Sequence, residues 1–198
     1  MSGVVAQNIN KHSGLIKGPS AAGEWTLIST STASASATIS FTSGLDSTYD
    51  EYCFRFINIH PSAAVHLTFQ GSTDGGSNYN TAITSSFFQA EFSEAGTNPA
   101  VGYQSSSDLA QGTGFQRIFS SLSITADDSG SGYLNLFNPA STTFVKHFIA
   151  RSNIVASAYS VDSYLAGYFN TTSAIDALQF KMSSGNIDAG TISLYGIG

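Results

Sequence analysis

From Glu24 onward, apolar residues recur at every second position. Val65, Leu67 and Phe69 alternate with His66, Thr68 and Gln70. Tyr52, Phe54 and Phe56 are set against Cys53, Arg55 and Ile57, and Leu178, Phe180 and Met182 against Gln179 and Lys181. A period of two sends neighbouring side chains to opposite faces of an extended chain, so each run predicts a strand with one face on a core. Ile192 and Leu194 repeat the pattern near the end of the chain. Runs at Trp25–Ser29, Ala37–Thr42, Phe115–Ile124, Tyr133–Phe137, Phe144–Ile149, Ser152–Ala158 and Tyr164–Asn170 predict further strands. Between the runs lie turn clusters such as Ser43-Gly44, Asp74-Gly75-Gly76, Asp128–Gly132, Asn138–Ser141 and Ser183–Asn186. No segment carries a helical stripe. About ten short strands at this spacing predict an all-β fold, a jelly-roll-like two-sheet sandwich over residues 24–198.

Two stretches break the alternation. Residues 83–114 hold Phe87, Phe88, Glu91, Phe92 and Glu94, but also Asn98-Pro99 and the run Ser105-Ser106-Ser107. They predict a long excursion, partly strand, projecting from the sandwich, and such segments often carry function. Residues 1–23 contain Val4, Val5, Ile9, Leu15 and Ile16, too few and too spaced for a core of their own. They predict an extended arm whose apolar residues anchor the domain on a partner surface.

Composition sharpens this picture. Charged residues make up only 10% of the 198, against about 25% in an average soluble domain. Polarity comes from Ser, Thr, Asn and Gln, so little charge must be desolvated when copies pack together, and a homotrimer is expected. The net charge of −6 and seven scattered Lys and Arg leave no basic stripe to neutralise phosphates, which excludes nucleic acid as partner. A single cysteine excludes an intrachain disulfide, and its setting, Tyr52-Cys53-Phe54, predicts a buried inert thiol. No apolar run approaches the roughly 18 residues of a membrane helix. A basic segment followed by an apolar block is missing at the N-terminus, so the expectation is a soluble protein made in a cytoplasm.

The sharpest motif is Ser72-Thr73-Asp74-Gly75-Gly76-Ser77-Asn78-Tyr79. It fits Ser-x-Asp-x-Gly-x-x-aromatic, the Asp box of sialidases and other glycan-processing proteins. An Asp side chain can accept amides of its own turn, glycines supply positive φ and the aromatic packs back. Ser72, Asp74, Gly76 and Tyr79 are therefore expected to build a hairpin turn, because a propeller would need several copies. Elsewhere Asp127-Asp128 offers a carboxylate pair, beside a Ser-Gly-Ser-Gly turn that suits solvated loop residues. His12, His60, His66 and His147 lack ligand spacings, and no nucleophile elbow, phosphate loop or dinucleotide fingerprint is present. No catalytic residue, metal or cofactor is expected. Asn170-Thr171-Thr172 is formally a glycosylation sequon. Tyr103 and Tyr133 are candidate sugar-stacking residues in polar surroundings, as are Tyr159, Tyr164 and Tyr168.

The C-terminal run from Ser173 to Ile197, with its strand, its Ser184-Gly185-Asn186-Ile187 turn and its closing Gly190-Thr191-Ile192-Ser193-Leu194-Tyr195-Gly196-Ile197, resembles the ending of many tailed-bacteriophage virion proteins. Leu45–Tyr52, the Asp box with its preceding strand, and Gly132–Pro139 resemble the same group. The resemblance spans roughly Trp25 to Gly198. It implies a virion β-sandwich, usually trimeric, serving as a head decoration or spike, or as the distal module of a tail fibre. It brings no catalytic residues. A tail fibre normally carries a long shaft, whereas here an arm of some 23 residues precedes the sandwich. The expectation is therefore a decoration or cement protein bound to capsid proteins through its arm. A tail adaptor or receptor-binding tip that recognises host-surface glycan comes next, and a polysaccharide-active enzyme last.

Overall fold

The structure, a computed structural model, describes residues 23–198. The expected arm, with Val4, Val5, Ile9, Leu15 and Ile16, lies outside the described residues. Twelve strands follow one another: β1 (Trp25–Thr32), β2 (Ile39–Phe41), β3 (Glu51–Pro61), β4 (Leu67–Ser72), β5 (Ile83–Ser93), β6 (Ala100–Tyr103), β7 (Gln116–Arg117), β8 (Gly130–Phe137), β9 (Lys146–Val155), β10 (Tyr159–Phe169), β11 (Ala177–Met182) and β12 (Ile187–Ile197). They form an eight-stranded sheet in the order β1-β12-β3-β8-β9-β10-β5-β6 and a four-stranded sheet in the order β2-β11-β4-β7. Every strand pairing is antiparallel. The expected all-β two-sheet sandwich is therefore what the chain forms, with its strands divided eight and four.

The core lies between the sheets and is largely aromatic. Phe180, on the small sheet, meets the rings of Phe54 at 5.2 Å and Phe56 at 5.3 Å from the large one. Phe41 at 6.0 Å and Phe69 at 6.5 Å complete its shell. Phe69 in turn meets Phe148 at 5.1 Å, edge to face. Such contacts add to the apolar area that drives the two sheets together. One cation joins this core. Lys146 is fully buried and donates to the carbonyls of Phe144, at 3.0 Å, and Thr171, at 3.1 Å. Burial pushes its ammonium below the usual lysine range.

Three expectations need correction. The first concerns residues 83–114, which do not project. All of β5 pairs with β10, from Ile83↔Phe169 to Ser93↔Tyr159, and β6 closes the sheet beyond it. The loop after β6 folds back against the small sheet, where Gln116 donates to the Ser107 carbonyl at 2.8 Å and Gln70 to the Gly114 carbonyl at 2.8 Å. This cover is also why β4 is buried on both faces rather than one. The second concerns Phe115–Ile124, of which only Gln116–Arg117 is strand. Beyond it the amides of Ile118 and Leu122 still bond to the Leu67 and Val65 carbonyls, as an irregular edge. The third is that Phe144–Ile149 and Ser152–Ala158 are parts of one strand, β9, whose side chains alternate strictly between buried and exposed.

Candidate functional site

The Asp box is a self-contained turn. The Ser72 hydroxyl donates to Asp74 Oδ1 at 2.7 Å and accepts the amides of Asp74 and Gly76. Asp74 also accepts the Asn78 amide at 2.8 Å and the Asn78 side chain at 2.7 Å. Gly76 adopts φ +85°, and a Cβ there would stand 2.7 Å from the Tyr79 hydroxyl, so both conformation and space demand glycine. The turn is not a hairpin, however. It opens the connection that carries the chain from β4 in the small sheet to β5 in the large one, strands that do not pair. A further bond, from the Gly75 amide to Asp176 at 3.0 Å, ties it to the segment before β11.

Hydrogen bonds from Asn78 and Ser72 hold the Asp74 carboxyl down at about 2. A carboxylate with a depressed folded value stabilises the fold above its unfolded value and loses that effect as pH falls through the folded one. Replacing Asp74 with Ala should therefore lower the melting temperature by a few degrees at pH 7. The deficit should shrink between pH 4 and pH 2, as thermal melts across that range will show. A variant that melts like the parent at pH 7 would leave the turn without a stabilising role.

The remaining chemical candidates are scattered. Asp127 is exposed, while Asp128 is buried and accepts the Ser157 amide at 3.4 Å, as part of the loop before β8. His60 lies 3.9 Å from Asp188, His66 is half-buried in the segment leading to β4, and His147 faces out from β9. Among the described residues no three His, Cys, Asp or Glu side chains gather where a metal could sit. Asn170 donates to the Gln111 side chain at 2.6 Å. Cys53 is buried beneath the outer side of the large sheet, and burial pushes its thiol up to about 12, with the nearby Arg55 charge pulling weakly the other way. A thiol reagent at pH 8 should leave Cys53 unmodified until the protein is unfolded, and rapid labelling of native protein would contradict this.

What the fold does assemble lies on the outer face of the eight-stranded sheet. Tyr103, Phe88, Tyr164, Arg151 and Tyr133 stand opposite one another on β6, β5, β10, β9 and β8. Phe88 and Tyr164 stack with centroids 4.7 Å apart and planes 4° from parallel, and the Arg151 guanidinium covers the other face of this pair, 4.9 Å from the Tyr164 centroid. Asp162 holds Arg151 through Nε at 3.1 Å and Nη2 at 2.6 Å, and accepts the Tyr164 hydroxyl at 2.9 Å. The Arg151 hydrogen bonds keep the Asp162 carboxyl below the usual carboxylate range. The next row is low, with Ser86, Ala166 and Ile149 side by side. A third row brings up Tyr168 and His147, rings 5.8 Å apart.

The low row is therefore the floor of a trough. Its larger part, about 530 Å³, lies along the Tyr168 and His147 wall. It continues into about 310 Å³ along the wall of Phe88, Tyr164, Arg151 and Tyr133, with Ser86, Ile149 and Ala166 common to both parts. Beneath the floor, Gly167 leaves room for the neighbouring strand and the core, since a Cβ there would come within 2.6 Å of the Thr84 carbonyl and 2.7 Å of the Phe148 ring. Of the two tyrosines picked out from sequence, Tyr133 lines this trough, while Tyr103 sits at the outer end of the row with its hydroxyl bonded to Asp108. Tyr164 and Tyr168 stand in its walls, and Tyr159 packs partly against the core. Phe88, His147, Arg151 and Asp162 were not legible as a set, because only the register of β5, β10 and β9 brings them together. Compared with family models, curated proteins and solved structures, the chain has no significant match.

Proposed function

We propose that this chain is a non-enzymatic structural protein of a tailed-bacteriophage virion, a trimeric head decoration or spike held to the particle by its N-terminal arm. The observation that carries this reading is the distribution of exposed apolar side chains on the large sheet. Trp25 and Leu27 at the start of β1 stand about half exposed, next to the point where residues 1–22 join the domain. A charge-poor surface with such anchors desolvates at little cost against other subunits. The resemblance of the C-terminal strands supplies the virion context.

A second reading, a tail adaptor or receptor-binding tip that recognises host-surface glycan, is favoured by the trough. Its walls lie on β8, β9, β10 and β5, three to six strands from β1. At about 4.8 Å per strand that places it some 15–30 Å from the arm's point of departure. An anchored side and a presenting side follow. Antibody raised against residues 24–198 and imaged on intact particles tests both readings. Label on heads is the expected result, label on tail ends transfers the assignment to the second reading, and particles without label overturn the virion role.

A further inference from the structure

We propose that the trough on the eight-stranded sheet is a binding site for an uncharged hexose-containing saccharide, a ligand class that rests on the glycan-recognition reading above and makes it specific. The argument starts from the charges. Arg151 is the one Lys or Arg in the trough lining, and Asp162, on the far side of the Tyr164 row, already neutralises it through hydrogen bonds of 3.1 and 2.6 Å. Among the described residues an acidic sugar would find no unpaired Lys or Arg in the lining, whereas a neutral sugar hydroxyl can accept from the fixed Arg151 guanidinium. The walls provide the other half of sugar recognition. Tyr133, Phe88, Tyr164 and Tyr168 line the walls with apolar ring carbon against which the C–H faces of a pyranose can pack, Tyr164 by its edge because Phe88 and Arg151 take its faces.

Dimensions agree with this ligand. The two walls are four residues apart along the strands, which is about 13 Å at 3.3 Å per residue. The floor of Ser86, Ala166 and Ile149 has no long side chain to fill the gap. The main volume of about 530 Å³ falls within the roughly 300–1,000 Å³ typical of small-molecule sites. A second copy of the chain is a poorer occupant. A flat sheet face pressed onto these walls would bury the Arg151–Asp162 pair without supplying new partners, and such desolvation is costly.

The test uses the full chain and saturation-transfer NMR with named probes: maltose, lactose and mannobiose as neutral disaccharides, and sialyllactose as the acidic one. Transfer to at least one neutral disaccharide is expected, competed by that sugar and weaker for sialyllactose. Tyr133→Ala and Arg151→Ala should each weaken binding at least tenfold while the melting temperature stays near that of the parent. Ile124→Ala, at a residue 59% exposed in the segment before β8 and outside the trough, should bind normally. No transfer from any neutral sugar, transfer only from sialyllactose, or equal binding by the trough variants would each overturn the proposal. So would dissociation of an oligomer by Tyr133→Ala in sedimentation, because the face would then be a contact between copies. Particle labelling involves no sugar, so a failure of the virion assignment and a failure of this site are read separately.

Discussion

Phe180→Ala is expected to remove about 3–5 kcal/mol of folding stability, the range for truncating a buried phenylalanine. Phe180 has no exposed surface, and it touches the rings of Phe41, Phe54, Phe56 and Phe69. Two of those rings belong to the large sheet and two to the small one, so the cavity would open at the joint between the layers. A single domain has roughly 5–15 kcal/mol in hand, so the variant should be marginal at 37 °C. Urea unfolding followed by far-UV circular dichroism measures the loss. Phe180→Leu should recover a substantial part of it, since it refills most of the volume. Phe144→Ala is the control: Phe144 is 70% exposed, and a surface truncation of that kind shifts stability by no more than about 0.5 kcal/mol. Equal midpoints for Phe180→Ala and Phe144→Ala would show that the aromatic cluster does not hold the sheets together.

Removing residues 1–22 is expected to abolish attachment to the particle and leave the sandwich intact. The twelve strands of the described residues all pair among themselves, and the Gly23 amide already bonds to the Gly198 carbonyl at the start of β1. The removed segment contributes Val4, Val5, Ile9, Leu15 and Ile16, enough to dock in a groove or extend a partner's sheet. It also contains Lys11 and Lys17, two of only seven basic residues, which suit an acidic partner surface. Truncated and full-length protein can each be added to particles that lack it, and occupancy compared. The truncated form should melt within about 2 °C of the parent and give background occupancy. Equal occupancy would move the anchoring surface onto the sandwich, with Trp25 and Leu27 the first residues to replace.

The strands read most faithfully from sequence have a single buried face. In β3 the alternation of Tyr52, Phe54 and Phe56 with Arg55 and Ile57 is also the alternation of buried and exposed. β9 alternates without a break, yet it read as two runs, Phe144–Ile149 and Ser152–Ala158, because the charged Arg151 interrupts the apolar sequence. β5 was foreseen only as part of an excursion, not as a full strand of the sheet. Its Phe87 and Phe88 are adjacent, one in the core and one on the outer face, so an edge-proximal strand that serves two surfaces shows no period. β4 misled in the opposite sense, because its polar positions Thr68 and Gln70 are buried under a loop that the local pattern cannot announce.

Function divides along the same line. The Asp box was legible because each of its bonds among Ser72, Asp74, Gly76 and Asn78 spans at most four residues, so the conformation follows from neighbours in the chain. That it opens a crossover rather than a hairpin depended on which sheet receives the next strand. The sequence by itself determined the all-β class, the aromatic core positions, the inert setting of Cys53 and this turn. Each of these rests on short-range periodicity or local hydrogen bonding. Only the tertiary structure decided the trough, in which Phe88, Tyr133, Arg151 and Tyr164 come from four strands and meet through register alone. Backbone ladders form between any two strands whatever their side chains, so register is settled by how the buried faces of the whole sandwich fit together. The outer face is then aligned as a consequence.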